Sequence, residues 1–301
     1  MATNDFLVFG GGAGANVITQ VTYSGLAART AGFSSGVAQS AQLNKVWRQS
    51  SIMSAVLAQF IADNTGLDAL DDGTTATLLA NLKTATTGRL INVQVFTSSG
   101  TYTPTSGTKS VIVEGVGGGG GSGGTAATSG VQSAVSQPGG SGTYARARFT
   151  SGFTSGLAVT IGAAGSAGAA GANNGGSGGT TSLGAIFSCP GGVLGAGGSV
   201  VGSAAATPAG GRASGATISG AAQTLASVPG QGGSVGCNVV PASSVTMGGT
   251  GGSNPLGTGG QGNAAGAGYG AGAGAQTAGV STSAQAGFAG QQGVLIVYEY
   301  A

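Results

Sequence analysis

The sequence contains no histidine, and only 5 % of its 301 residues are charged, nine Lys or Arg against seven Asp or Glu. Without histidine there are no His-dependent nucleophile triads, and the commonest zinc and iron ligand is missing. The acids are Asp5, Asp63, Asp68, Asp71, Asp72, Glu114 and Glu299. None lies between Glu114 and Glu299, so a paired-carboxylate glycan hydrolase has no candidate residues in that span. The net charge of +2 comes without any Lys/Arg cluster, which argues against a nucleic-acid partner. No run approaches the roughly 18 apolar residues of a membrane-spanning helix, so membrane insertion is not expected. The opening "MATNDFLVFGGG" does not read as a secretory signal. Cys189 and Cys237 are therefore expected as small buried thiols rather than a disulfide, in a chain that folds in a bacterial or host cytoplasm.

Two motifs are decoys. "FLVFGGGAGA" formally matches a dinucleotide fingerprint, but β-branched "NVITQVTY" follows it and no acid occurs between Asp5 and Asp63 to hold a ribose. In "SGTKS", Thr108 separates the glycine from Lys109 and the segment leads into a strand. The acid cluster "DALDDG" precedes a helix, where acids suit the dipole and can cap; a calcium site is the alternative. Glu114 and Glu299 are expected to pair with Lys109, Arg89, Arg146 or Arg148. No catalytic residue, metal or cofactor is expected.

Glycine is what the chain has in quantity, 66 residues, roughly three times the usual ~7 %. Large side chains are few, so packing must rest on backbone contact. From Phe149 to Tyr298 the sole charged side chain is Arg212. The fold class expected is mixed: an N-terminal α-helical hairpin or bundle, then a small β-module carrying a large glycine-rich insertion. Residues 1–35 form a leading segment. Residues 36–88 contain a helix to about residue 63, a stop at "NTG", and a second helix with Leu78, Leu79 and Leu82 on one side. Val46, Met53 and Phe60 recur every seven residues, with Leu43 and Leu57 beside them. This seam suits helices from several chains meeting, or an ordinary amphipathic helix in a small bundle. Residues 89–301 read as strands at "INVQVF", "TKSVIVEGV", "TYARARF", "LAVTIG" and "GVLIVYEY", with "VIVE" and "VLIVY" central and the glycine-rich region, about 117–290, inserted between them.

Within that insertion a glycine stands at every third position from Gly162 to Gly171. This period suits polyglycine II-type helices, with three residues per turn and all glycines along one edge, where neighbouring backbones can touch. Collagen needs an unbroken Gly-X-Y period and abundant proline, and there are only 7 prolines. A silk-like β arrangement, suggested by "GAGYGAGAGA", and a disordered linker remain open. Glycine-poor interruptions rich in Ser, Thr, Asn and Gln include "GANNGG", "SAAATPAGGRAS", "SGAAQTLASVPGQ", "CNVVPASSVTM" and "SNPLGT". Neutral polar loops on a stiff scaffold suit sugars or protein loops. The candidate contact residues are Asn173, Asn174, Arg212, Asn254 and Tyr269.

The stretch "NVITQVTYSGLAARTAGFSSGVAQSAQLNKVWRQSSIMSAVLAQFIADNTGLDALDDGTTATLLANLKTA" resembles the N-terminal part of tail-fibre proteins of tailed phages and prophages of Gram-negative bacteria. "VFTSSGTYTPTSGTKSVIVEGVGGGGGSGG", "GTYARARF", "TSLG" and "GVLIVYEYA" resemble the glycine-rich C-terminal domain of such fibres. The resemblance implies a virion protein assembled in the host cytoplasm, commonly a homotrimer. Its N-terminal part would attach to tail or baseplate proteins. Its distal part would bind a host cell-surface receptor, either polysaccharide or outer-membrane protein. A non-recognising structural spacer of the tail is the alternative.

Overall fold

The computed structural model describes residues 2–86, 88–153, 156–221, 223–239 and 245–301. The chain is a mixed fold of helices and antiparallel sheets, in two compact units, Met1–Arg89 and Leu90–Ala301.

The first unit carries α1 (Gln20–Ser24), α2 (Ala28–Ala31), α3 (Ser40–Thr65) and α4 (Thr75–Ala85). No glycine or proline interrupts α3, and its Ala, Gln and Leu content favours helix. It stops at Gly66, whose φ of +68° lets its N–H turn back to the Ala62 carbonyl at 3.0 Å. α4 packs back on α3, and Leu78 and Leu82 share a small apolar cleft with Phe6, Leu57 and Ile61. The N-terminal segment also runs along α3. Asn4 Nδ2 donates to the Ala55 carbonyl, and the Phe9 ring meets Trp47 edge-on at 5.7 Å. The β-branched run before α3 proves in part helical: α1 forms at Gln20, where the Thr19 hydroxyl accepts the Thr22 N–H at 3.1 Å.

The second unit is built on two five-stranded antiparallel sheets. Their strands are β1 (Leu90–Phe96), β2 (Gly100–Tyr102), β3 (Ser110–Val116), β4 (Tyr144–Phe149), β5 (Leu157–Thr160), β6 (Thr181–Leu183), β7 (Phe187–Cys189), β8 (Thr217–Ile218), β9 (Gln223–Val228) and β10 (Val294–Tyr300). One sheet has the order β1-β10-β3-β4-β9, the other β8-β7-β6-β5-β2. Alternation sends Val111, Val113, Ala145, Ala147, Phe149, Leu295 and Val297 of the first against Tyr102, Val159, Leu183, Phe187 and Cys189 of the second, forming the main core. Arg146 and Arg148 fall on the opposite face, as the alternation in "YARARF" requires. "SGAAQTLASVPGQ", which reads as a loop, supplies β9 instead. Its Gln223, Thr224, Ala226, Ser227 and Val228 pair with the open edge of β4, and Leu225 falls at a break in the register.

Glu299 is met by neutral donors rather than by a cation. It is fully buried and accepts from Tyr102 Oη at 2.8 Å, Thr105 N at 3.1 Å, Thr105 Oγ1 at 2.5 Å and Gln94 Nε2 at 3.1 Å. Burial raises its pKa, but the bonds from Thr105 and Tyr102 outweigh that and hold it below the ordinary range. Glu114 does meet a cation, Arg146 at 3.8 Å, and also accepts from Tyr144 Oη at 2.8 Å.

Between the sandwich strands the chain runs in extended segments that are neither α-helix nor strand. Residues 117–125 follow β3 and 136–143 precede β4; 162–171 follow β5 and 173–179 precede β6; 190–198 follow β7 and 285–293 precede β10. Their hydrogen bonds have a period of three. Along 118–125, the N–H groups of Gly118, Gly121 and Gly124 go to the carbonyls of Gly179, Gly176 and Asn173. Those of Gly119, Ser122 and Thr125 go to Gln291, Phe288 and Gln285, and those of Gly120 and Gly123 go to Gly140 and Gln137. The carbonyls of the same segment accept from three further neighbours: Gly192, Gly195 and Gly198; Gly165, Gly168 and Gly171; and Ala273. The 117–125 segment is thus enclosed by six others, which explains why "GGGGGSGG" has almost no side chains. A Cβ placed on Gly119 or Gly121 would stand 2.0 Å from a neighbouring carbonyl oxygen.

The segment 162–171 is enclosed on one side only. Gly162, Gly165 and Gly168 are buried, and the residues between them are exposed, so the spacing of its glycines records which edge is packed. Gly287, Gly290 and Gly293 repeat the pattern, donating to Gly168, Gly165 and Gly162. Within "GAGYGAGAGA", Ala267–Gly268 pairs as a two-residue strand with Gly257–Thr258 and residues 271–275 form no strand, so the silk-like β alternative holds for two residues of that stretch only.

Candidate functional site

The register of these bonds gives the glycine-rich region two ends. Gly118 and Gly179 adjoin the sandwich strands, whereas Gly124, Thr125, Asn173, Gly198 and Gln285 lie at the far end. Beyond them the chain turns, and the turns are bonded to one another. Thr128 N donates to the Thr282 carbonyl at 2.9 Å, Ser281 N to the Ser129 carbonyl at 3.0 Å, and Ala126 N to the Gly198 carbonyl at 3.0 Å. Two short sheets complete this tip: Ser133–Val135 with Val200–Val201 and Thr277–Ala278, and Gly236–Val239 with Ala205–Thr207 and Val245–Met247. A set of turns tied together on bonded backbone is pre-organised, so little ordering remains for a ligand to impose.

The five candidate contact residues do not form one surface. Asn173 and Asn174 are exposed at the tip, but both are used in the turn: Asn173 Nδ2 donates to the Ala170 carbonyl at 3.0 Å, and Asn174 Oδ1 accepts from Gly197 N at 3.0 Å. Asn254 and Tyr269 lie together at the sandwich end. Asn254 Nδ2 donates to the Tyr269 carbonyl at 3.0 Å, and neighbouring Leu256 packs onto Val116, Tyr144 and Val294. Arg212 is exposed on the flank beside 140–143, where Ser214 accepts from Thr143 Oγ1. Sequence reasoning did not single out Gln137, Ser199, Thr207 and Asn238, which converge at the tip around one cleft. Nothing in local composition marks them, because four separate segments supply them. Part of "CNVVPASSVTM", residues 240–244, lies outside the described residues.

In the first unit, Met53, Leu57 and Phe60 of the seam are exposed, Met53 by 60 %, and Val46 is half-buried. Ile52 and Val56 extend the exposed apolar stripe. The acid cluster holds turns: Asp68 Oδ1 accepts from Thr3 N at 2.6 Å, and Asp72 Oδ1 accepts from Thr74 Oγ1 at 2.5 Å and from Thr74 N at 2.8 Å, which together hold Asp72 below its ordinary pKa. Among the described residues no three His, Cys, Asp or Glu gather as metal ligands, and no helix is long and apolar enough to cross a membrane.

No protein-family model matches the chain, and a search of curated proteins gives no match.

Proposed function

We propose that this chain is a tail-fibre or fibre-tip adhesin of a tailed phage or prophage, with recognition placed in the turns at the far end of the glycine-rich region. The observation that carries the reading is the division of that region into a core of bare backbone and a tip where side chains return. The three-residue period of the hydrogen bonds, to six neighbours, is what packed polyglycine II-type helices require. At about 3.1 Å per residue, the nine residues 117–125 set the tip about 28 Å from the sandwich. Residues 1–88 are assigned attachment to tail or baseplate proteins and trimerisation, which the exposed stripe Met53, Val56, Leu57 and Phe60 supports. The reading assigns no catalysis and places the protein in the virion.

The test is binding of fluorescently labelled full-length protein, in its native oligomer, to a broad panel of Gram-negative cells. A variant with residues 127–131 and 280–284 changed to Gly-Ser is the comparison. Saturable binding by the natural protein that falls in the folded variant supports recognition by the tip. If the natural protein binds no strain, the structural spacer is the better reading.

A further inference from the structure

We propose that the tip cleft between residues 196–201 and 205–208 is a subsite for a single neutral sugar residue, an inference that rests on the adhesin reading and names the ligand class of its tip. The cleft holds about 230 Å³ and is floored by Gln137 and Asn238. With ~30 Å³ per water, a ligand filling it replaces about seven or eight waters, which is the size of one six-membered ring.

The polar groups facing this space are of two kinds. Gln137 is engaged at both ends: its Nε2 donates to the Ala209 carbonyl and its Oε1 accepts from Ala196 N at 3.1 Å, so it holds the two walls together. Asn238 is not. It is 4 % exposed, yet its side chain makes one hydrogen bond among the described residues, at 3.3 Å from Ser133 Oγ. Whichever way the amide is turned, one end of it remains unspent. Asn238 lines the cleft, so a ligand hydroxyl can take the place of the water that this end would otherwise hold. Thr207 Oγ1 accepts from Gly236 N at 3.1 Å, leaving its own proton to donate elsewhere, and Ser199 is exposed with no hydrogen bond among the described residues.

A donor–acceptor amide flanked by two hydroxyls suits vicinal sugar hydroxyls, each of which both donates and accepts. Val135, Val201 and Pro208 supply apolar wall for the C–H face of the ring. Among the described residues no charged side chain lines the cleft, so a carboxylated or phosphorylated sugar would lose hydration without gaining a counter-charge. The walls are fixed before binding: Gly198 N donates to the Gly124 carbonyl at 2.8 Å and Gln137 N to the Ala196 carbonyl at 2.9 Å. One ring held this way binds weakly, and several copies on one particle compensate.

The test is saturation-transfer NMR of the full-length protein with the methyl glycosides of glucose, galactose, mannose and N-acetylglucosamine, and with sialic acid as the anionic comparison. At least one neutral glycoside should receive transfer and sialic acid none. Asn238→Leu should weaken the signal about tenfold. Ser199→Phe, at an exposed position whose change leaves folding intact, should block it by filling the mouth. No transfer to any neutral glycoside from folded natural protein, or transfer unchanged in both variants, overturns the subsite. Cell binding judges the underlying reading separately. Natural protein and both variants binding cells equally leaves the adhesin and refutes the cleft, whereas natural protein binding no strain removes the adhesin while the NMR result still decides the cleft.

Discussion

Replacing Gly119 with alanine isolates the contribution of bare backbone to this fold. Gly119 does not adopt a positive φ, so alanine has no conformational objection to the site; in a permissive position the change would stabilise by about 0.4–1 kcal/mol. The cost here is steric. The new Cβ would lie 2.0 Å from the Ala271 oxygen, and such contacts do not fall below 3.0 Å, so the 270–273 segment must withdraw by at least 1.0 Å (3.0 − 2.0). That segment is bonded to its surroundings through Ala273 N to Gly120 O at 3.0 Å, Gly139 N to Ala273 O at 2.9 Å and Gln291 N to Ala271 O at 2.9 Å. A shift of that size takes these bonds beyond useful length. Two or three buried groups left unpaired, at about 1–3 kcal/mol each, amount to about 2–9 kcal/mol, set against a typical stability of about 5–15 kcal/mol. For a unit of this size each kcal/mol moves Tm by about 2–4 °C, so differential scanning calorimetry of the full-length protein should show a fall of at least about 4 °C, or no folded protein. Gly202→Ala is the control, since a Cβ there meets nothing within 4 Å, and its change should stay within about 0.5 kcal/mol. A Gly119→Ala protein melting within about 3 °C of the natural one would refute the reasoning.

Other perturbations address the sandwich and the helices. Because Glu299 has a lowered pKa in the folded state, the unfolded chain binds its proton more readily. Its contribution is therefore fully present above the unfolded carboxyl value and is lost as pH falls through the folded one. Thermal melts from pH 7 to pH 3 should fall in the acid range, and Glu299→Gln should flatten that fall while lowering Tm at neutral pH; an unchanged acid slope would remove Glu299 as its cause. Burial pushes the Cys189 thiol up to about 12, whereas Cys237 is less buried. A thiol-reactive dye should accordingly label one cysteine per chain in the native state and two after denaturation, and rapid native labelling of Cys189 would contradict the packing. If the chain self-associates through the seam as proposed, Met53→Asp with Phe60→Asp should lower its mass in light scattering without loss of helix signal, and an unchanged mass would take the seam out of self-association.

The long helix, its stop at Gly66, the strands that close the sandwich and the charge boundary at Phe149 were legible because each rests on local chemistry. Propensity, a left-handed cap and two-residue alternation all act within a few neighbours. Of the second sheet only β5, in "LAVTIG", was legible. Its strands β6 to β8 are two or three residues long, too short to show a period, and they exist because their side chains complete a core begun elsewhere. The third-position glycines of 162–171 pointed to one packed edge, but the crowding of glycine in 117–124 carries no period at all, since every edge there is packed.

Sequence alone therefore determined the elements that neighbouring residues build, the scarcity of charge, and the need for backbone to pack on backbone. Tertiary structure decided which backbones meet, and with them which polar side chains share the tip. Asn173 and Asn254 are alike in composition and context, yet one lies at the tip and the other beside the sandwich. Gln137, Ser199, Thr207 and Asn238 are far apart in the chain and share one cleft. The physical reason is that hydrogen bonds between extended segments are long-range and indifferent to side-chain identity: glycine permits the approach, and only the three-dimensional register selects the partner.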